Sequence, residues 1–349
     1  MQDRDREWQA LHDLGILWLG RDYMKAGALL QEALELAREV GDDRKIARSL
    51  NRYGNWRVNV GDPRRAREAH QEALVIFERL NDKTGLAETL DLLGLASYLT
   101  ADFRGSVATF KQAIPLFRKL GDVRGLSSSL AMMALSGGTF DSDVAVAPPG
   151  SPEQWAGYSR EAIDHARRIG WRAGEAFAML VHGVVLAVHG EPGEALDVLE
   201  RAKEVAESIG HRQWGLASTH QLGVLGLRHY CYEFAELHLT DALRQAKELG
   251  SSYWTRSVIS HLADLYLDTD HLAKAESLIG DALGTDDAID GLGQRKLWLR
   301  LARLELARGN PSRALSIADR LIATAPGWRR GDVIPFVGLI RGLALQQLG

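Results

Sequence analysis

Apolar and small residues fall along this chain in two interleaved helical faces, and the whole scheme returns every 40 residues. The stretches GDDRKIARSL, NDKTGLAETL and GDVRGLSSSL begin at Gly41, Asn81 and Gly121, and the same phase resumes at Gly170, Gly210 and Gly250. In the clearest unit Leu50, Tyr53 and Gly54 mark the inner face of one helix and Ala66, His70 and Ala73 that of a second, with Gly61-Asp62-Pro63 as the turn between them. Leu90, Gly94, Ser106, Phe110 and Ala113 repeat the arrangement one period later. A period of this length signals stacked supersecondary units that bury their apolar faces only against their neighbours. The predicted fold is therefore all-α, a right-handed superhelical solenoid of antiparallel helix pairs.

Small residues locate the helix crossings. One series runs Gly54, Gly94, Ala134, Gly183, Gly223, Ala263, Ala302; a second follows at Ala66, Ser106, Ala195, Ala235, Ala275, Ala314; a third at Ala33, Ala73, Ala113, Ala162, Ala202, Ala242, Ala282. Side chains of this size let two helices approach where larger ones would hold them apart. Asp22, Asp62, Asp102, Ser151 and Asn310 stand where each second helix should begin and are predicted N-caps. Gly41, Gly121, Gly170, Gly210 and Gly250 stand where one should stop, since glycine reaches the left-handed conformation that closes a helix C-terminus.

The spacing from Gly54 to Ala66 to Ala73 resembles the tetratricopeptide repeat, lengthened from 34 to about 40 residues. Trp298 takes that family's tryptophan position ahead of Ala302, while Leu14 and Leu321 replace small residues in the end units. The resemblance covers residues 1–349 as one array of about eight helix pairs and a C-terminal half repeat. The unit phrase of Gly-Asp, then Ala, Leu and Gly is similar to the repeat arms of bacterial signal-transduction NTPases and of activators like the maltose-regulon activator. That likeness implies a sensor or interaction arm that binds an inducer or a protein partner. Both chain ends fall inside the repeat lattice, so a fragment of a longer regulator, with its flanking domains elsewhere, is the expectation.

One interruption breaks the lattice. Gly121 and Gly170 are 49 residues apart, and the extra length lies in residues 137–152, which hold three of the nine prolines and no helical period. The segment reads as an inserted loop. It is either a tolerated surface indel, since loop length costs little closure entropy, or a strap whose Phe140, Val144 and Val146 pack into or gate the groove.

The first helix of each unit should line the concave face. In the second unit that face carries Arg48, Asn51, Asn55 and Asn59, with Arg52 beside them. Asn51, Asn55 and Asn59 are spaced i, i+4, i+8 on one stripe, against the low helix propensity of asparagine. Their carboxamides can pair with an extended peptide backbone, and the arginines can take a carboxylate. The stripe is similar to the peptide grooves of Leu-Gly-Asn-type adaptors and kinesin light chains; the chaperone-tail carboxylate clamp is a poorer match because its lysines are missing. Glu88 and Asp91 lie one period on, so an inter-repeat ladder, with Arg48 facing Glu88, is the competing reading. Tyr98 belongs to the same projected face. Further along the groove turns apolar through Phe177, Leu180, Val184, Ala217, Val224 and Leu227, with His220 and Asp264 as polar anchors. Trp171, Trp214 and Trp254 follow junction glycines and are expected to pack between units, while Trp8 and Trp18 near the open end are candidates for facing an absent neighbour.

Composition narrows the function classes. A net charge of −4 and a pI near 6.3 give no general basic field for nucleic acid. The single cysteine, Cys231, excludes an internal disulfide and fits a reducing cytoplasm. No signal core or membrane-length apolar run is present. No phosphate loop, HExxH, paired CxxC or GxSxG occurs, so neither cofactor nor metal is expected, and an enzyme would need a site of unrecognised type. The sequence thus points to a non-catalytic module that binds a protein, a peptide or a small-molecule inducer in its concave groove.

Overall fold

Each helix of the array begins and ends where its side chains allow. The structure, a computed structural model, describes residues 2–137, 141–284 and 288–349. The helices are α1 (Gln2–Leu19), α2 (Tyr23–Val40), α3 (Asp43–Asn59), α4 (Pro63–Arg79), α5 (Lys83–Leu99), α6 (Phe103–Leu120), α7 (Val123–Gly137), α8 (Pro152–Arg168) and α9 (Arg172–His189). They continue as α10 (Pro192–Ser208), α11 (Arg212–Arg228), α12 (Tyr232–Leu249), α13 (Ser252–Asp268), α14 (Leu272–Leu283), α15 (Leu292–Ala307), α16 (Pro311–Ala323) and α17 (Pro335–Leu348). No strand occurs among the described residues.

The capping carboxylates act as the sequence predicts. Asp22 accepts from the amides of Met24 and Lys25, Asp62 from Arg65, Asp102 from Gly105, and the Ser151 hydroxyl from Gln154. Asn310 is the exception: it sits at the N-cap of α16 without capping it, and its Nδ2 instead donates to Glu305 Oε2 at 2.9 Å. Gly41, Gly121 and Gly250 close α2, α6 and α12 in the left-handed region.

Consecutive helices pack against one another throughout, and each first helix also meets the first helix of the next unit. The crossing points are tight because a side chain of the second helix fills the space a Cβ would need. A Cβ added at Gly94 would stand 2.6 Å from Phe110 Cζ, a ring that is itself fully buried. The alanines of the third series, from Ala33 to Ala242, have no exposed surface.

The coil then closes on itself. Helix α3 packs against α13 and α5 against α15, so the second and third units touch the seventh and eighth. The Gln213 amide donates to the Gly20 carbonyl at 3.2 Å, the Ser251 hydroxyl donates to the Asn59 carbonyl at 2.9 Å, and Arg104 makes a two-pronged pair with Asp332 at 2.7 and 2.8 Å. Gly20 allows this approach, since a Cβ there would meet the His211 ring at 2.9 Å. The groove expected from the sequence is therefore flanked by early and late units of the array.

Residues 144–146 of the connection between α7 and α8 are buried in the interior of the coil. Gly138, Thr139 and Phe140 lie outside the described residues, so the expectation for Phe140 stays with the sequence. Val144, Ala145 and Val146 are buried, and Arg295 Nε on α15 donates to the Val144 carbonyl at 2.9 Å. Surface display of this segment, one of the two readings of the insertion, does not hold for these residues, because α15 on the opposite wall supplies partners to their backbone and side chains.

Candidate functional site

The coil lines a half-open pocket of about 630 Å³. Its wall comes mainly from first helices: Ile16 and Leu19 of α1, Arg52, Asn55 and Asn59 of α3, a run of α5 from Glu88 to Leu99, Ser128 and Met132 of α7, Phe177 to Val184 of α9, and His220 and Gln221 of α11. Tyr253 and Trp254 of α13 and Lys296 of α15 complete it from the other coil.

Two chemistries share this wall. The apolar side is aromatic: Phe177 and Trp214 stack with ring centroids 4.5 Å apart, His211 stacks on Trp214 at 5.3 Å, and Trp254 meets His220 edge-on at 6.1 Å. The polar side carries the acids Glu88, Asp91 and Asp122 beside the bases Arg52 and Arg124. Arg52 and Glu88 approach to 3.9 Å across neighbouring units. Asp91 accepts from the Ser129 hydroxyl at 2.5 Å. Burial pushes the Asp91 carboxyl up to about 6; the Ser129 hydrogen bond opposes the rise and the charge of Glu88 adds to it.

The buried histidines of the site are held neutral. His220 Nε2 lies 2.9 Å from His261 Nδ1, which in turn is 3.0 Å from the Ser257 carbonyl. Burial, with Lys296 adding repulsion, lowers His220 to about 3, and burial lowers His261 well below the usual imidazole range. His211 falls to about 4 through burial and the nearby Arg21 charge.

Of the residues singled out from sequence, Arg52, Asn55, Asn59, Glu88, Asp91, Tyr98, Phe177 and His220 come together on the cavity wall, as do Leu180 and Val184. Three do not. Arg48 is exposed and off the cavity, and it is Arg52, one helical turn on, that faces Glu88. Asn51 is 2 % exposed and serves as a rung between helices: its Nδ2 donates to Thr89 Oγ1 at 2.8 Å and its Oδ1 lies 3.4 Å from His70 Nδ1. Asp264 sits beyond the cavity in an ion network with Arg300 at 2.6 Å and Arg303. Ala217, Val224 and Leu227 are buried away from the cavity, in helix packing. Trp8 faces no open end; it is 3 % exposed and donates to the Ser49 hydroxyl at 2.9 Å.

Several wall residues have no sequence signal pointing to the site. Trp171, Trp214 and Trp254 do pack near unit junctions, but the same rings also face the cavity. Lys296 reaches it only because the coil closes. Among the described residues no group of three or more His, Cys, Asp or Glu could hold a metal ion, and none of the described helices is long and apolar enough to cross a membrane.

Comparison with known proteins agrees with this architecture. Residues 15–79 and 45–119 match the family model of the tetratricopeptide repeat. Over these residues the chain carries tetratricopeptide repeats. Among solved structures, this repeat array is similar to NprR in complex with its cognate peptide NprX (TM-score 0.60, 12 % identity, 97 % of this chain and 98 % of that one). It is also similar to a Rap protein complexed with competence and sporulation factor (TM-score 0.58, 15 % identity, 92 % and 98 %). A third similar structure is the signal-transduction ATPase with numerous domains from Pyrococcus horikoshii, which has a tetratricopeptide-repeat sensor (TM-score 0.51, 15 % identity, 97 % of this chain). The repeat array spans 50 % of that protein's length. At these identities the likeness is one of fold. No curated protein matches the chain at a significant level.

Proposed function

We propose that this repeat array is a non-catalytic receptor module, the sensor or interaction arm of a larger bacterial regulator, and that its ligand sits in the half-open cavity. The observation that carries this reading is the cavity itself. Its roughly 630 Å³ lies in the range of ligand sites, about 300–1,000 Å³. The aromatic wall supplies apolar burial and the polar wall fixes orientation, the usual division of labour in such a site.

A ligand here would touch both coils at once. Leu19 and Asn55 belong to the first two units, Trp214 and Trp254 to the sixth and seventh. Binding would favour the closed pitch over an opened one, and a differential affinity of about 1–3 kcal/mol is enough to couple that change to attached domains.

A second reading, an adaptor that holds a short peptide, is favoured by Asn55 and Asn59 on the same wall and by the peptide named with NprR, a protein of similar fold. Both readings are tested by following the melting temperature of the purified chain against size-fractionated, protein-free extract of a bacterial cytoplasm. A low-molecular-mass fraction that raises it supports a cavity receptor. If protease treatment of that fraction removes the effect the ligand is a peptide, and if the effect survives it is a small inducer. A melting temperature that no fraction shifts, while an intact protein partner binds outside the cavity, overturns the receptor reading.

A further inference from the structure

We infer that the outward face of α17 is a self-association surface, on which a second copy of this chain packs its own α17 antiparallel across Gly342. This goes beyond the cavity ligand, and it does not depend on what that ligand is.

The repeat lattice says what this face is built to receive. Gly342 stands 40 residues after Ala302 and continues the series of crossing positions that runs through Gly54, Gly94, Gly183 and Gly223. At each of those four glycines a large side chain of the following second helix fills the place a Cβ would take: His70, Phe110, Leu199 and Leu239, at 2.6 or 2.7 Å. At Gly342, and at Gly338 one turn before it, a Cβ would meet nothing within 4 Å. Helix α17 packs inward on α16 and α15, with Val337, Ile340 and Ala344 buried. Among the described residues nothing lies over its crossing position.

The face itself is apolar and nearly uncharged. Leu339, Leu343, Leu345 and Leu348 are 52, 40, 42 and 48 % exposed. Arg341 is the one charged residue of α17, and Asp319 holds it at 2.7 Å. A solenoid helix with its outer face in water needs polar side chains there to stay dispersed, and two exposed glycines run against helix propensity. Both features suit a face covered by a closely approaching helix.

The occupant follows from symmetry. Residues three and four apart share a helix face, so Gly342 is flanked by Gly338 and Leu339 on one side and by Leu345 and Gln346 on the other. A two-fold axis through Gly342 sets Leu339 of one copy against Leu345 of the other, twice, and lays glycine backbone on glycine backbone at the centre. The face thus carries both the hollow and the knobs of the crossing that Gly223 and Leu239 make within the array. Self-complementarity of this kind is what an isologous interface requires. With Arg341 already paired, no like charges meet, and no unpaired charge is offered to select a different protein. One pair of helices is small beside a standard interface of about 1,200–2,000 Å², so the dimer is expected at micromolar chain and not at nanomolar.

Sedimentation velocity of the full chain from about 1 to 200 µM tests this. The native chain is expected to pass reversibly from monomer to dimer. Leu339→Glu/Leu345→Glu, its fold checked by circular dichroism, should raise the dissociation constant about tenfold or more. Leu237→Glu, at a more exposed leucine on α12, should change nothing. Register is read separately by Gly342→Cys in a Cys231→Ser background. Cysteines facing each other across the axis should give a disulfide-linked dimer on mild oxidation, and Leu237→Cys in the same background should not. A chain that stays monomeric at every concentration, a dimer that survives the double glutamate change, or a dimeric Gly342→Cys chain that fails to cross-link overturns the inference. Should the double variant not fold, the cross-link decides alone.

Discussion

Replacing Lys296 by methionine is the sharpest probe of how the inserted segment is held. Lys296 Nζ and Asp141 Oδ1 are 2.5 Å apart, with side chains 2 % and 3 % exposed, so solvent screens neither charge. Lys296→Met keeps the volume of the stem and leaves the Asp141 carboxylate buried, with the Tyr98 hydroxyl still donating to it. Breaking a buried pair from one side costs about 3–5 kcal/mol. Unfolding entropy of about 2.1 cal/mol/K per residue gives roughly 0.7 kcal/mol/K for a chain of this length. The melting temperature should fall by about 4–7 °C if the array melts as one unit, and further if the C-terminal units melt alone. Circular dichroism melts at pH 7 measure this. The double variant Lys296→Met/Asp141→Asn removes both charges and should recover most of the loss, giving a coupling energy of about 2 kcal/mol or more. A single variant within about 1 kcal/mol of native, or a double variant no more stable than the single, would refute the reasoning.

Three further outcomes follow from the same packing. His70 and His220 are both lowered to about 3 by burial, so the unfolded chain takes up protons below about pH 6.5 that the folded chain refuses, and stability is lost as pH falls from 6.5. Each contributes about 1.4 kcal/mol per pH unit. Asp91, raised to about 6, keeps its proton when folded, so its contribution is lost as pH rises through 6 and it offsets one histidine below that. His211 and His261, lowered as well, add in the same direction, so urea titrations at pH 6.5 and 4.5 should differ by at least about 3 kcal/mol, native being weaker at pH 4.5; equal midpoints would contradict this. Asn51→Ala should cost about 1–3 kcal/mol of stability by stripping a buried rung and leave ligand affinity intact, whereas Asn55→Ala should weaken binding by about 1 kcal/mol, roughly fivefold, with little change in melting; calorimetry on both variants separates the roles. Gly94→Ala drives a Cβ to 2.6 Å from Phe110 and should cost about 1–3 kcal/mol, while Gly157→Ala, with nothing within 4 Å, should stabilise α8 by up to about 1 kcal/mol, both read by denaturant midpoint.

Repeat, helix class and crossings were legible because each is a local rule applied many times. Gly54, Ala66 and Ala73 mark one crossing, and the same geometry at Gly94, Ser106 and Ala113 removes the ambiguity a single instance would leave. The caps at Asp22, Asp62 and Asp102 were legible for the same reason. What a one-dimensional lattice does not encode is the pitch of the superhelix. Closure of the coil brought Tyr253, Trp254 and Lys296 into one pocket with Asn55 and Phe177, pairs that no periodicity links. It also explains why neighbours on one stripe part company. Asn51 lies where Thr89 and His70 close over it, and Asn55, one turn later, lies where the wall opens. The inserted segment was legible as a loop from its prolines, but its place inside depends on α15, more than 140 residues away.

Whether the cavity is the receptor site is tested most directly by titrating the ligand fraction while following tryptophan emission, in the native chain and in an Ala173→Phe variant. Trp171, Trp214 and Trp254 stand in the wall with Ala173 among them. The account predicts a saturable change in emission for the native chain that is lost when the larger ring at position 173 fills the space. Saturable binding with unchanged emission, or binding of equal strength in the Ala173→Phe variant, would place the ligand elsewhere and contradict the account.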